Sequence, residues 1–292
     1  MKRFLPMTLV LLGCFNPDFT QKPCTSNSAC PVELGYSCVA GRCAHSGSNA
    51  VVDMALDPRP VRVEVEVRGT GSFYMGTSAT DGINDTPTYI RSVPSPYFLD
   101  EREVTVADYQ ACVTAQVCTS PLSGPLGTQG WVCSYGTGKN NHPVTCVTKT
   151  QAEAFCTWMG RRLPTEMEWE KAGRGTDERP FPWGDEILRE NANFYSSRDP
   201  FEDMSTFGSR TSPVGFYNGQ TYDGFQTVDS ASPYGLYDMA GNVWQWTGDV
   251  YEGMHYRFLR GGSKDTYDMD LRIWVRNNAT PTYFSPGVGF RC

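Results

Sequence analysis

Residues 61–67 read VRVEVEV, valine alternating with charge, and this period of two predicts a half-buried strand. Residues 71–76 (GSFYMG) turn into a second extended run, and residues 97–100 (YFLD) make a third. Three helix starts follow. Thr105 with Asp108, Thr148 with Gln151, and Thr165 with Glu168 each set a hydroxyl three residues ahead of an acceptor side chain, the spacing of a capping box. The middle helix places Ala152, Phe155, Cys156 and Met159 at i, i+3, i+4 and i+7, which gives one buried face. Gly160 and Gly173 are read as the ends of the second and third helices. Beyond Gly175 the pattern breaks into short strands and Pro/Gly/Asn turns, with no internal repeat. The densest stretch is residues 234–249, YGLYDMAGNVWQWTGD. Trp244 and Trp246 alternate around Gln245, which predicts a short strand with one aromatic face. Asp238, Asn242 and Asp249 add oxygens to a glycine-loosened turn, a way of folding round a hard cation. The plainer reading is two core tryptophans beside an asparagine turn.

Composition adjusts this picture. The 29 glycines and 20 prolines in 292 residues agree with a loop-dominated domain, and 39% hydrophobic content supports a core. A net charge of −7 with no basic run excludes nucleic acid as a partner. The amino end reads as an address. Lys2 and Arg3 precede an apolar stretch, residues 4–12, shorter than the about 20 residues that cross a bilayer. It runs into Leu11, Leu12, Gly13 and Cys14, which resembles a bacterial lipobox, so the expected mature chain is a membrane-anchored, extracytoplasmic lipoprotein acylated at Cys14. Cys24, Cys30, Cys38 and Cys43 have no CxxC pair, and in an exported chain they are read as two disulfides. Residues 44–60 are small and polar, a linker. The expected order is therefore a signal peptide (1–13), a cysteine-rich stalk and linker (14–60), and one large domain (61–292). Six cysteines remain for that domain, an even number: Cys112, Cys118, Cys133, Cys146, Cys156 and Cys292. No GxSxG elbow or Walker loop is present. Arg161 and Arg162 are read as solvated or paired with Glu166 or Glu170. The three histidines fall in the stalk (His45), in a packing context (His142) and in a loop (His255).

Ten short motifs then occur in a familiar order. They include Phe73-Tyr74-Met75-Gly76, Arg162-Leu163-Pro164-Thr165-Glu166, Gly235-Leu236-Tyr237-Asp238-Met239, Gly241-Asn242-Val243-Trp244, Arg260-Gly261-Gly262-Ser263 and Gly289-Phe290-Arg291-Cys292. Residues 61–292 thereby resemble the formylglycine-generating enzyme (sulfatase-modifying factor) family. The resemblance implies a single irregular α+β domain related to C-type lectins, with three short helices, short strands and disulfides. It implies a Cys156–Cys292 disulfide, from which Cys112–Cys118 and Cys133–Cys146 follow by proximity. It implies calcium at two places: Asn193 with the Phe194 carbonyl, Asp223 and the Phe225 carbonyl, and Asn242 with the Val243 carbonyl and Gln245. In the family position 245 is normally glutamate, so the second site should be the weaker. It also implies a groove walled by Trp246, Ser263, Arg272 and Arg276, suited to a peptide, a carboxylate or a glycan, unless the two arginines pair internally with Asp249 or Asp268. The chemistry departs from the family. Its two copper-holding thiolates lie shortly after RGGS, whereas residues 264–272 here contain no cysteine, so copper is not expected. The expectation is a ligand- or protein-binding module that does not oxidise cysteine. The alternative is an oxidoreductase of this family, for protein or siderophore maturation or sulfatase activation, using a different active centre.

Overall fold

The computed structural model describes residues 36–39, 42–45, 58–68, 72–77, 89–93, 96–126, 131–202, 210–250 and 253–292. The chain divides into two compact units, Met1–Asp57 and Pro58–Cys292. In the first, β1 (Tyr36–Val39) and β2 (Arg42–His45) form an antiparallel hairpin with Cys38 opposite Cys43. The signal peptide, the Cys14 anchor and the stalk disulfides lie outside the described residues.

In the second unit, β3 (Glu64–Val67) pairs antiparallel with β6 (Tyr97–Asp100), and β4 (Ser72–Met75) with β5 (Tyr89–Ser92). The first strand starts three residues later than its alternation predicts. Val61 and Val63 are exposed, and pairing begins only where Glu64 meets Asp100. The helices are α1 (Val106–Thr114), α2 (Lys149–Trp158) and α3 (Glu166–Arg174), each opened by its expected reciprocal capping box. Gly160 follows the end of α2 at φ 75°. Gly173, in contrast, lies inside α3, and Gly175 is its cap. The reason is contact: a Cβ on Gly173 would sit 2.4 Å from Ile273 Cδ1, so glycine there permits close packing rather than a turn.

Two small hairpins follow, β7 (Gly124–Leu126) with β8 (Trp131–Cys133), and β9 (Thr221–Tyr222) with β10 (Phe225–Gln226). The main sheet has the order β13–β12–β11–β14, built from β11 (Trp244–Trp246), β12 (Arg257–Arg260), β13 (Arg276–Ala279) and β14 (Val288–Gly289). Only β11 and β14 run parallel in it. All three residues of β11 are buried, so both faces of this strand are covered and Gln245 is as much inside as its tryptophans. Against the sheet pack Tyr109, stacked on Phe155 at 5.7 Å, with Phe290 edge-on to both. Disulfides join Cys156 to Cys292, the pair that the resemblance implied, and Cys112 to Cys118 and Cys133 to Cys146, the pairs inferred from proximity.

Candidate functional site

Helix α3 carries two buried carboxylates that organise the sheet. Glu170 accepts from Arg174 at 2.9 Å, from the Gly76 amide at 2.7 Å and from Arg260. Glu166 receives Arg260 at 3.3 Å and Arg276 at 2.9 Å. Arg276 is thus an internal ion-pair partner, but of Glu166, not of Asp249 or Asp268. Asp249 instead accepts the Glu166 amide at 2.5 Å, at the first turn of α3. Arg162 pairs with Glu168, and Arg161 with Glu64 and Asp100, so neither uses the helix partners expected of it.

The predicted groove wall does not form as drawn. Trp246 is fully buried and its indole N–H donates to the Val147 carbonyl at 3.0 Å. Arg272 lies over the Trp274 ring, 5.9 Å from its centroid. Ser263 is buried, and its hydroxyl accepts the Asp265 amide. What the loop after RGGS presents to solvent is different. Thr266 closes it by accepting the Ser263 amide and donating to the Ser263 carbonyl, both at 3.0 Å. The Thr266 carbonyl takes the Tyr195 amide at 2.9 Å, which pins a second loop beside it. Tyr195 and Tyr267 then meet edge to face, 5.0 Å between centroids, and both are exposed, as is Met269 two residues beyond Tyr267. Sequence reasoning passed over this pair, although two tyrosines in polar loops were the available signal.

Deeper in, a polar hub sits behind β11. Arg291, fully buried, donates to the carbonyls of Asp100, Glu101, Tyr237 and Asp238 and, through Nε, to Gln245 Oε1 at 2.7 Å. Glu103 accepts from Asn242 Nδ2 at 2.8 Å and from Gln245 Nε2 at 3.4 Å. Burial, and then the charge of Asp238, push Glu103 well above the usual carboxylate range, while Arg291 pulls it back.

The two calcium sets fare differently as donor sets. In the first, Asn193 is buried with its Oδ1 unpartnered among the described residues, an open oxygen that suits a hard cation. Phe194 is buried beside it, but Asp223 stands exposed in the turn between β9 and β10, and Phe225 stacks on Phe216. The carboxylate needed to offset the charge is therefore at an open tip. In the second, Asn242 Oδ1 accepts the Ser212 amide at 3.0 Å, and Gln245 Oε1 accepts both Arg291 and Trp169 Nε1. Those oxygens are committed, one of them to a guanidinium, and they do not fit a cation.

His142 faces a cationic neighbourhood. Its Nδ1 meets Thr211 Oγ1 at 3.0 Å, and burial together with Lys139 lowers its pKa from 6.5 to about 4. A depressed folded value means that the unfolded chain binds the proton first on acidification. Stability from this residue is present above pH about 6.5 and is lost as the pH falls through about 4. In His142→Asn, urea denaturation from pH 7 to 4 should show a shallower loss of stability than wild type. An unchanged pH slope would contradict this.

Three short helices, short strands and a disulfide between the second helix and Cys292 are what the resemblance to the formylglycine-generating enzymes implied. The chain belongs to that family: residues 52–292 match the sulfatase-modifying factor enzyme 1-like domain. It is 30% identical to a formylglycine-generating enzyme of Streptomyces coelicolor, over 82% of this chain and 91% of that one. It is 37% identical to the mouse inactive C-alpha-formylglycine-generating enzyme 2, over 76% of this chain and 82% of the relative. Among solved structures, PvdO from Pseudomonas aeruginosa has the same fold, with a TM-score of 0.61 and 23% identity over 78% of this chain and 92% of PvdO.

Proposed function

We propose that this chain is a membrane-anchored extracytoplasmic lipoprotein whose family domain binds a ligand or protein partner and does not convert cysteine to formylglycine. The observation that supports it is the loop after RGGS. Residues 264–272 carry no thiol, and the six cysteines of residues 112–292 are paired in disulfides. A disulfide sulfur has no proton to lose, so it supplies neither a nucleophile nor a soft copper ligand. In place of thiols the loop offers exposed Tyr267, paired with Tyr195 of the neighbouring loop, two flat amphipathic surfaces suited to a peptide or a glycan. A relative whose name calls it inactive agrees with a family in which the fold outlives the reaction. Calcium enters the proposal at the first set only, supported by the open Asn193 oxygen.

The test incubates purified protein with copper and a peptide carrying a Cys-x-Pro-x-Arg motif and reads aldehyde by mass spectrometry. No aldehyde above the enzyme-free background is expected, and its appearance would favour the oxidoreductase reading. A screen of peptides and glycans against wild type and Tyr267→Ala then asks whether the loop binds. For the anchor, labelled palmitate should enter wild type and not Cys14→Ser, whereas equal labelling of both removes the lipoprotein assignment.

A further inference from the structure

The second cation set fails to fit for a reason that can be located to one atom. Gln245 is fully buried. Its orientation is fixed by its partners, because Trp169 Nε1 at 2.9 Å and Arg291 Nε at 2.7 Å can only donate, so the atom facing them is Oε1. The amide nitrogen must then point the other way. There it donates to the Asp238 carbonyl at 2.7 Å and to Glu103 Oε1 at 3.4 Å. Glu103 Oε2 takes Asn242 Nδ2 at 2.8 Å. A carbonyl and a buried carboxylate thus converge on the Gln245 NH2 group, which is the kind of oxygen set that elsewhere converges on a hard cation.

We propose that the Gln245 amide nitrogen takes the place of a bound cation in this chain, so that calcium has no site there while glutamine stands at 245. The charges argue in the same direction. With an amide at 245, the positive charge of Arg291 favours the ionised forms of the buried Glu103 and Asp238, and the Asp238 carboxylate accepts the Gly215 amide at 2.6 Å. A glutamate keeps one oxygen for Trp169 and Arg291 and turns its second toward Glu103 Oε1 and the Asp238 carbonyl. Three oxygens then face one another, with a further negative charge and no donor between them. Such a cluster is stable only if a proton or a cation enters it. Millimolar calcium is offered as that cation, with an expected dissociation constant of about 0.1–1 mM, as for extracellular sites.

The experiment compares the full chain, wild type and Gln245→Glu, by equilibrium dialysis against calcium. The variant should bind one more calcium ion per chain than wild type and should melt higher with calcium than with chelator by a wider margin than wild type does. Equal stoichiometry for two folded proteins overturns the proposal. Should the variant not fold even with calcium, the wild type alone decides. In uniformly 15N-labelled protein the Gln245 side-chain NH2 protons should be protected from exchange, and their resonances should not move on addition of calcium. A calcium-dependent shift of those resonances, or rapid exchange, places a cation or water where the amide is assigned and overturns it.

Discussion

Glu170→Ala should lower the stability of the domain by about 3–5 kcal/mol, because it leaves buried positive charge without its partner. Arg174 and Arg260 are both fully buried, and Glu170 stands between them. Of the arginines' other hydrogen bonds, those of Arg174 go to the carbonyls of Tyr74 and Gly76, and those of Arg260 to the Ile273 carbonyl and, at 3.3 Å, to Glu166. Neutral carbonyls orient a guanidinium but do not cancel its charge. Glu166 offsets Arg260 in part, yet it also serves Arg276. The substitution further strips the Gly76 amide of its acceptor, which is why β4 should loosen along with the sheet. For a domain of this size the loss corresponds to a fall in melting temperature of roughly 10 °C. The control is Glu66→Ala, whose partner Arg68 has a side chain 81% exposed. That pair should change stability by no more than about 0.5 kcal/mol. Urea denaturation reads both, and a loss at Glu170 as small as that at Glu66 would show that the network contributes little.

The paired variant Cys156→Ser/Cys292→Ser should lose about 5 kcal/mol in the chain-entropy account of disulfides, since the bridge closes a separation of 136 residues. Cys112 and Cys118 are 6 residues apart, and the same account gives their removal about 2 kcal/mol. The ranking is the sharper part of the expectation. Both pairs are buried, so burial does not separate them, and loop length does. If the two serine variants unfold at the same urea concentration, chain entropy is not what the long bridge supplies.

What could be read from the sequence divides by range. The three capping boxes are local, three residues from hydroxyl to acceptor, and they set the helix starts where the structure has them. The family motifs carried the fold class for the same reason: each is a short string that a local turn or strand requires. Trp246 was misplaced because an alternating strand at the surface and one sandwiched between β12 and β14 share a pattern, and only tertiary packing distinguishes them. Gly173 reads as a stop signal unless Ile273, a hundred residues on, is known to press against it. The partners of Arg276 and Arg162 likewise depend on which carboxylates α3 turns inward. Arg291 was visible as a motif residue, but nothing in its neighbours announces that it and Glu103 both bond to Gln245 behind β11.

The last five of the described residues have an uneven share of the closing contacts. Val288 and Gly289 complete the sheet, Phe290 fills the aromatic cluster, Arg291 ties four carbonyls, and Cys292 bridges to α2 while its amide reaches Asp100. A nascent chain can form its helices as they emerge, but it cannot seal its interior until residue 292 has been made. Until then it must remain soluble with an unfinished core. Contacts spanning nearly two hundred residues make the final step slow. Production of this protein should accordingly be limited by whatever shields and oxidises the late intermediate rather than by the stability of the finished fold.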